Sequence, residues 1–145
     1  MTDTHTKPAA FGFPLRVYWE DTDAGGIVFY ANYLKFMERG RTEWLRALGF
    51  NQQVLREQVG GMFIVSETAV RYLRPARLDD RLWVTAELAE AGRVSLTIAQ
   101  KVFLCNPQGN PETLLAEGSI RIGWVDAASL RPGRIPAPIL EVLKS

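Results

Sequence analysis

Hydrophobic positions along the chain follow two periods, and the switches between them set the predicted order of elements. From Phe13 to Trp19 apolar and polar residues alternate, Leu15, Val17 and Trp19 opposing Arg16 and Tyr18, which predicts a half-buried strand. Asp and Gly dominate Glu20 to Gly26, a loop by composition, and Ile27-Val28-Phe29-Tyr30 leads out of it. Over residues 31–48 the period becomes helical. Tyr33, Met37, Gly40, Trp44 and Leu48 recur at spacings of four, three, four and four, with Leu34 and Leu45 widening the stripe and Phe36 also read as core. Charged residues fill the other face, where Arg39 and Glu43 are spaced to pair. Gly49 is placed as a left-handed cap, with Phe50 as its hydrophobic companion. Gly40 inside the helix costs about 1 kcal/mol relative to Ala, a loss that close approach to another backbone would offset.

Beyond a short second helix over 51–59, the pattern predicts strands: Met62–Arg74, Arg81–Ala91, Arg93–Cys105 and Leu114–Val125. They are separated by the connector Pro75–Asp80, a turn at Ala91-Gly92 and the turn-rich Asn106–Pro111. From Asp126 onward, Pro132, Pro136 and Pro138 predict a mostly irregular tail. Residues 1–10 predict a flexible polar tail, leaving 11–145 as one domain. One strand, one long helix and four strands joined by short turns make an α+β class: an antiparallel sheet of about five strands curled around one central helix. One sheet face and two edges stay uncovered, which predicts at least a dimer.

Composition narrows the chemistry. The 145 residues suffice for one domain with its own core. A net charge of +1, from 17 basic and 16 acidic residues, leaves no basic footprint for nucleic acid. Cys105 is the sole cysteine, which excludes an intrachain disulfide and a thiolate zinc site. No stretch resembles a secretory signal or a membrane span, so a soluble cytoplasmic protein is expected. The one histidine, His5, sits in the polar N-terminus. Mechanisms built on Ser-His-Asp, Cys-His or a His-ligated metal are therefore disfavoured. An enzyme with this sequence would use a carboxylate, a tyrosine, a lysine or water.

The loop supplies carboxylates. Glu20, Asp21 and Asp23 crowd three acids into four positions, and close carboxylates repel. Their spacing does not fill a calcium loop. Gly25 and Gly26 let the backbone approach a ligand, and a helix start follows, whose free N–H groups favour developing negative charge. A carboxylate beside unpaired backbone donors suits thioester hydrolysis: the donors polarise the carbonyl, and the carboxylate attacks it or activates water. A solvated, Asp-rich helix cap is the plainer reading of the same residues.

From Arg16 to Leu45 the chain carries Asp21-Thr22-Asp23, then Gly26, Val28, the pair Phe29-Tyr30 and Asn32-Tyr33. This run resembles the signature of the 4-hydroxybenzoyl-CoA thioesterase family of hotdog proteins. It is most similar to the acyl-CoA thioesterases associated with the bacterial Tol-Pal gene cluster, and Val70–Asp80 fits that subgroup too. The resemblance spans about residues 13–130. It implies a hotdog fold and hydrolysis of acyl-CoA to free acid and CoA. It places Asp23 on the catalytic carboxylate and the Tyr30 N–H on the donor to the thioester carbonyl. Tyr18 falls on an aromatic position beside the site, and Gly26 and Val28 lie within the motif. The subgroup commonly carries His where this chain has Tyr30, whereas the 4-hydroxybenzoyl-CoA enzymes have Tyr there, as this chain does. Acyl preference therefore stays open between short or medium chains and aryl groups.

Other residues have a binding reading and a plain one. Ser66 and Thr68 alternate on a strand and would line the pocket near Asp23. Arg71, Arg74 and Arg77, with Arg93 later, would meet the phosphates of coenzyme A, or lie on the surface. Glu38 and Glu43 read as a solvated helix face. No cofactor is expected, coenzyme A being part of the substrate; an acyl-carrier protein is a second possible donor of the acyl group. A homodimer or homotetramer is the expected assembly. The rival functions are a non-catalytic acyl-CoA or acyl-carrier-protein binding module and a hotdog hydratase, which would want a histidine pair the chain lacks.

Overall fold

The computed structural model describes residues 11–145; the expected tail over 1–10, with His5, lies outside the described residues. A single antiparallel sheet runs in the order β1-β3-β4-β5-β2. Its strands are β1 (Phe11–Arg16), β2 (Gly61–Tyr72), β3 (Arg81–Ala91), β4 (Ser95–Cys105) and β5 (Pro111–Asp126). The long helix α1 (Asn32–Ala47) packs against β1, β3 and β4. The α+β arrangement read from the sequence is thus the one observed. Bulges in β2, β3 and at the β4–β5 pairing interrupt the register; bulges of this kind sharpen strand bend and twist.

The apolar stripe buries as its period demands. Tyr33, Phe36, Met37, Gly40, Trp44 and Leu45 are the buried positions of α1, meeting Leu82, Val84 and Ala86 of β3 and Leu96, Ile98 and Val102 of β4 in one core. Leu34 departs from the reading and lies exposed, one residue past the face that turns inward. Glu43 pairs with Arg46 rather than Arg39. Gly40 is explained by side chains rather than backbone: a Cβ there would lie 2.8 Å from Cγ1 of Val84 and 3.1 Å from Nε2 of Gln100.

At the first strand the alternation overran its end. β1 stops at Arg16, and Trp19, expected on the inner face, is 78% exposed in a 3-10 turn over Trp19–Asp21. The short helix after α1 is present as α2 (Gln52–Val54), which runs into one π-turn over Leu55–Val59. The C-terminal tail is a correction. Residues Ala137–Lys144 form a third helix, α3, with Ile139 and Leu143 buried in the core. Pro136 and Pro138 lie at its start, where the missing N–H is harmless. Read as breakers, they are start signals.

Candidate active site

The acidic loop folds so that its carboxylates part company. Asp21 is only 6% exposed. Its Oδ2 accepts from the Tyr18 N–H at 2.8 Å, and its carbonyl accepts from the Phe29 N–H (3.1 Å) and the Asn32 side-chain amide (2.9 Å). Asp21 therefore braces the loop. Asp23 faces solvent: its Oδ1 accepts from the Gly25 N–H at 2.8 Å, and among the described residues its Oδ2 has no partner. The loop closes through Asp23 N–H to the Ile27 carbonyl (2.9 Å) and Gly26 N–H to the Asp23 carbonyl (3.1 Å). Gly26 sits at φ 78°, a conformation that favours glycine.

A cleft of about 440 Å³ opens beside it, bounded by Asp23, Val28, Tyr30, Tyr33, Tyr72 and Arg74 among others. Tyr30 occupies the turn immediately before α1. Among the described residues its N–H meets no acceptor, while its carbonyl receives the Tyr33 N–H at 3.3 Å and the Tyr72 hydroxyl at 3.1 Å. Behind the cleft stands Ala76, fully buried. Its N–H donates to the Tyr33 hydroxyl (2.9 Å) and its carbonyl accepts from the Val28 N–H (2.9 Å). One residue of the β2–β3 connector thereby ties the loop to the helix start. Burial raises the pKa of Tyr33, against the lowering effect of the Ala76 N–H, and Tyr72 is raised by burial as well.

The sequence-predicted residues divide on this geometry. Asp23, Tyr30, Val28 and Arg74 share the cleft. Gly26 lies next to it, its carbonyl bound by the Leu78 N–H at 3.1 Å. The Tyr18 ring is exposed, outside the cleft walls. Ser66 and Thr68 do not line it: they sit mid-strand on β2, four or more residues from Tyr72, about 13 Å along an extended chain. The Ser66 hydroxyl instead donates to the Arg121 carbonyl at 3.3 Å. Arg71 pairs across the sheet with Glu117 at 3.2 Å. Arg77 joins the loop through its backbone, bridging to Ile27, and its N–H donates to Oδ2 of Asp80 at 2.8 Å. Glu38 accepts from the Thr42 hydroxyl on the helix surface. Cys105 has its pKa raised by burial, with Arg81 opposing.

Missed from sequence were Tyr72, Ala76 and the cleft-facing role of Tyr33, which the periodicity had assigned to the core. Among the described residues no group of three or more His, Cys, Asp or Glu is placed to hold a metal ion, and no helix is long and apolar enough to cross a membrane.

Sheet, central helix and the carboxylate loop at the helix start define a hotdog protein. The chain belongs to the thioesterase superfamily, whose family profile matches residues 25–107. It is 38% identical to an acyl-CoA thioesterase, YbgC, of Haemophilus influenzae, over 89% of this chain and 90% of that one. Against an acyl-CoA thioester hydrolase, YbgC, of Escherichia coli it is 41% identical, over 92% of this chain and 96% of the relative. Among solved structures, a gentisyl-coenzyme A thioesterase superposes with a TM-score of 0.77 at 26% identity, covering 88% of this chain and 98% of that one. A 4-hydroxybenzoyl-CoA thioesterase variant bound to 4-hydroxybenzoyl-CoA superposes at 0.83, covering 92% and 98%; at 20% identity that match speaks to the fold.

Proposed function

We propose that this enzyme hydrolyses the thioester of acyl-CoA to a free acid and CoA, the acyl group being a short or medium chain or an aryl group. The observation that carries the site assignment is that Asp23 and Tyr30 line the same cleft, the first with one carboxylate oxygen and the second with an N–H that have no partner among the described residues. The Tyr30 N–H donates to the thioester oxygen as negative charge develops there. Ionised Asp23 either attacks the carbonyl carbon, forming a mixed anhydride and expelling the CoA thiolate, or takes a proton from the water that attacks. In both routes the Gly25 N–H holds Oδ1 and leaves Oδ2 to act. CoA enters as part of the substrate, and no cofactor takes part in either route.

Arg74, on the cleft wall, is the arginine best placed for a substrate phosphate; Arg71 and Arg77 are secondary candidates, and Gly26, Val28 and Tyr18 shape the surroundings. The described residues act as one hotdog domain. It works as a homodimer or homotetramer, since β2 is an edge strand of 12 residues with Ile64 and Val65 exposed. Through β2 pairing, Ser66 and Thr68 would reach a second copy rather than their own cleft. An acyl-carrier protein presents the same thioester and is a further candidate donor. Action on coenzyme A esters and a lone, unpaired cysteine fit the cytoplasm.

Thiol release across short, medium, long and aryl acyl-CoAs, and acyl-carrier-protein thioesters, tests this reading. Asp23→Asn and Asp23→Ala should abolish turnover while light scattering still shows the oligomer. A fully active Asp23→Ala protein refutes the mechanism. Single turnover in oxygen-18 water detects the nucleophilic route when water opens the anhydride at the Asp23 carboxyl carbon: the bridging Asp23 oxygen then leaves in the first product molecule and the label stays on Asp23.

A further inference from the structure

The Tyr30 N–H, read above as the donor to the thioester, belongs to neither a helix nor a strand, so no repeating ladder holds it in place. Tyr30 is 63% exposed. The peptide unit that carries the N–H is held on one side, where the Phe29 carbonyl accepts from the Asn32 N–H at 2.9 Å, and the next unit is held through the Tyr30 carbonyl by the long bond from the Tyr33 N–H and the 3.1 Å bond from the Tyr72 hydroxyl. Tyr72 is the last residue of β2, 42 positions away in sequence. Its ring meets Tyr30 edge-on at a centroid distance of 6.0 Å and Tyr33 at 5.3 Å. Tyr33 in turn is buried and bound to Ala76. Through Tyr72 the exposed turn is thus fastened to the end of the sheet and, through Tyr33, to the helix. A tyrosine phenol is protonated through neutral pH, and burial raises the Tyr72 pKa further, so it remains a donor.

We infer that Tyr72 is a positioning residue for hydrolysis: its hydroxyl holds the Tyr30 carbonyl so that the Tyr30 N–H stays aimed at the thioester oxygen. The inference rests on the thioesterase reading and on Tyr30 as donor. A residue that acts this way affects the transition state more than the ground state. A residue that merely shapes the acyl pocket affects binding.

Tyr72→Phe keeps the ring and removes the bond. With the best acyl-CoA substrate, kcat should fall about five- to tenfold, the worth of one neutral hydrogen bond, with KM within about twofold. The second readout is the infrared band of a carbon-13-labelled thioester carbonyl bound to the inert Asp23→Asn protein. With Tyr72 present the band should shift to lower wavenumber than in solution; adding Tyr72→Phe should move it back. Wild-type kcat in Tyr72→Phe, or a rise in KM at constant kcat, overturns the proposal. A band shift that survives Tyr72→Phe overturns it while leaving Tyr30 as donor. A band that does not shift even with Tyr72 intact removes the Tyr30 assignment and the proposal together, although Asp23-dependent thiol release would still stand.

Discussion

Helix α1 touches polar groups at two places, and they are treated in opposite ways. In its middle, Gly40 lets the helix settle onto β3 and β4, where buried Gln100 donates to the Met37 carbonyl (2.9 Å) and the Thr85 carbonyl (3.2 Å). Gln100 Oε1 accepts from Arg41 at 3.3 Å, and no buried side-chain polar atom among the described residues lacks a partner. Burial lowers the Arg41 pKa, with Glu38 opposing. At its start the same helix leaves the Tyr30 N–H unpartnered and Asp23 half-bonded among the described residues, both beside an open cleft. Buried polar groups are costly unless paired, so the middle is closed and structural. Exposed, unpaired groups on a braced frame are available to a ligand. Within the loop the contrast repeats at shorter range: Asp21 is buried and bonded, Asp23 is not.

The largest effect should break this contrast at the loop. Asp23→Asn is expected to lower kcat by about a thousandfold or more, as for loss of an essential group, with an unchanged melting temperature by calorimetry. Asp21→Ala should do the reverse in kind, lowering stability by about 2 kcal/mol through loss of a carboxylate acceptor for a backbone N–H, measurable by urea unfolding. Should Asp21→Ala prove as stable as wild type, the division of labour between the two acids fails.

Tyr33→Phe leaves the buried Ala76 N–H without its acceptor and should cost about 1–3 kcal/mol. It also carries a pH signature. The Tyr33 pKa is raised on folding, so its contribution is fully present below the unfolded value near 10 and is lost as pH rises through the higher folded value. Unfolding followed above pH 10 should show a decline that Tyr33→Phe flattens. Gly40→Ala is the smallest of the stability changes. Ala gains about 1 kcal/mol in helix propensity, but its Cβ would press on the stiff Val84 side chain, and overpacking costs about 1–3 kcal/mol. Net destabilisation of about 1 kcal/mol is expected, and a more stable variant would show that α1 has room to move away from β3. Finally, Arg74→Ala should raise KM for acyl-CoA more than Arg71→Ala, whose exposed pair with Glu117 contributes about 0–1 kcal/mol.

The family resemblance put Asp23 and Tyr30 forward as one site, and they do share one cleft, because they are seven residues apart and one local turn brings them together. Local composition failed where several roles look alike. Three acids in four positions share the same chemistry, and only burial separates Asp21 from Asp23. Ser66 and Thr68 alternate as pocket residues would, yet alternation fixes the face of a strand and not the distance along it. Prolines at 136 and 138 stop a helix or start one, and what decides is whether Ile139 and Leu143 find a core to enter.

By itself, then, the sequence determined the α+β class, the buried face of α1 and the strand order along the chain, since these follow from periodicities that repeat within a few residues. Tertiary structure decided the rest of the site. Tyr72 reaches Tyr30, and Tyr33 reaches Ala76, across more than forty positions. Such contacts depend on where β2 ends relative to the helix start, a consequence of sheet order and register that no local pattern encodes. The pair proposed for catalysis was thus legible in the sequence through its family resemblance, while the frame that holds it became visible only when the chain had closed on itself.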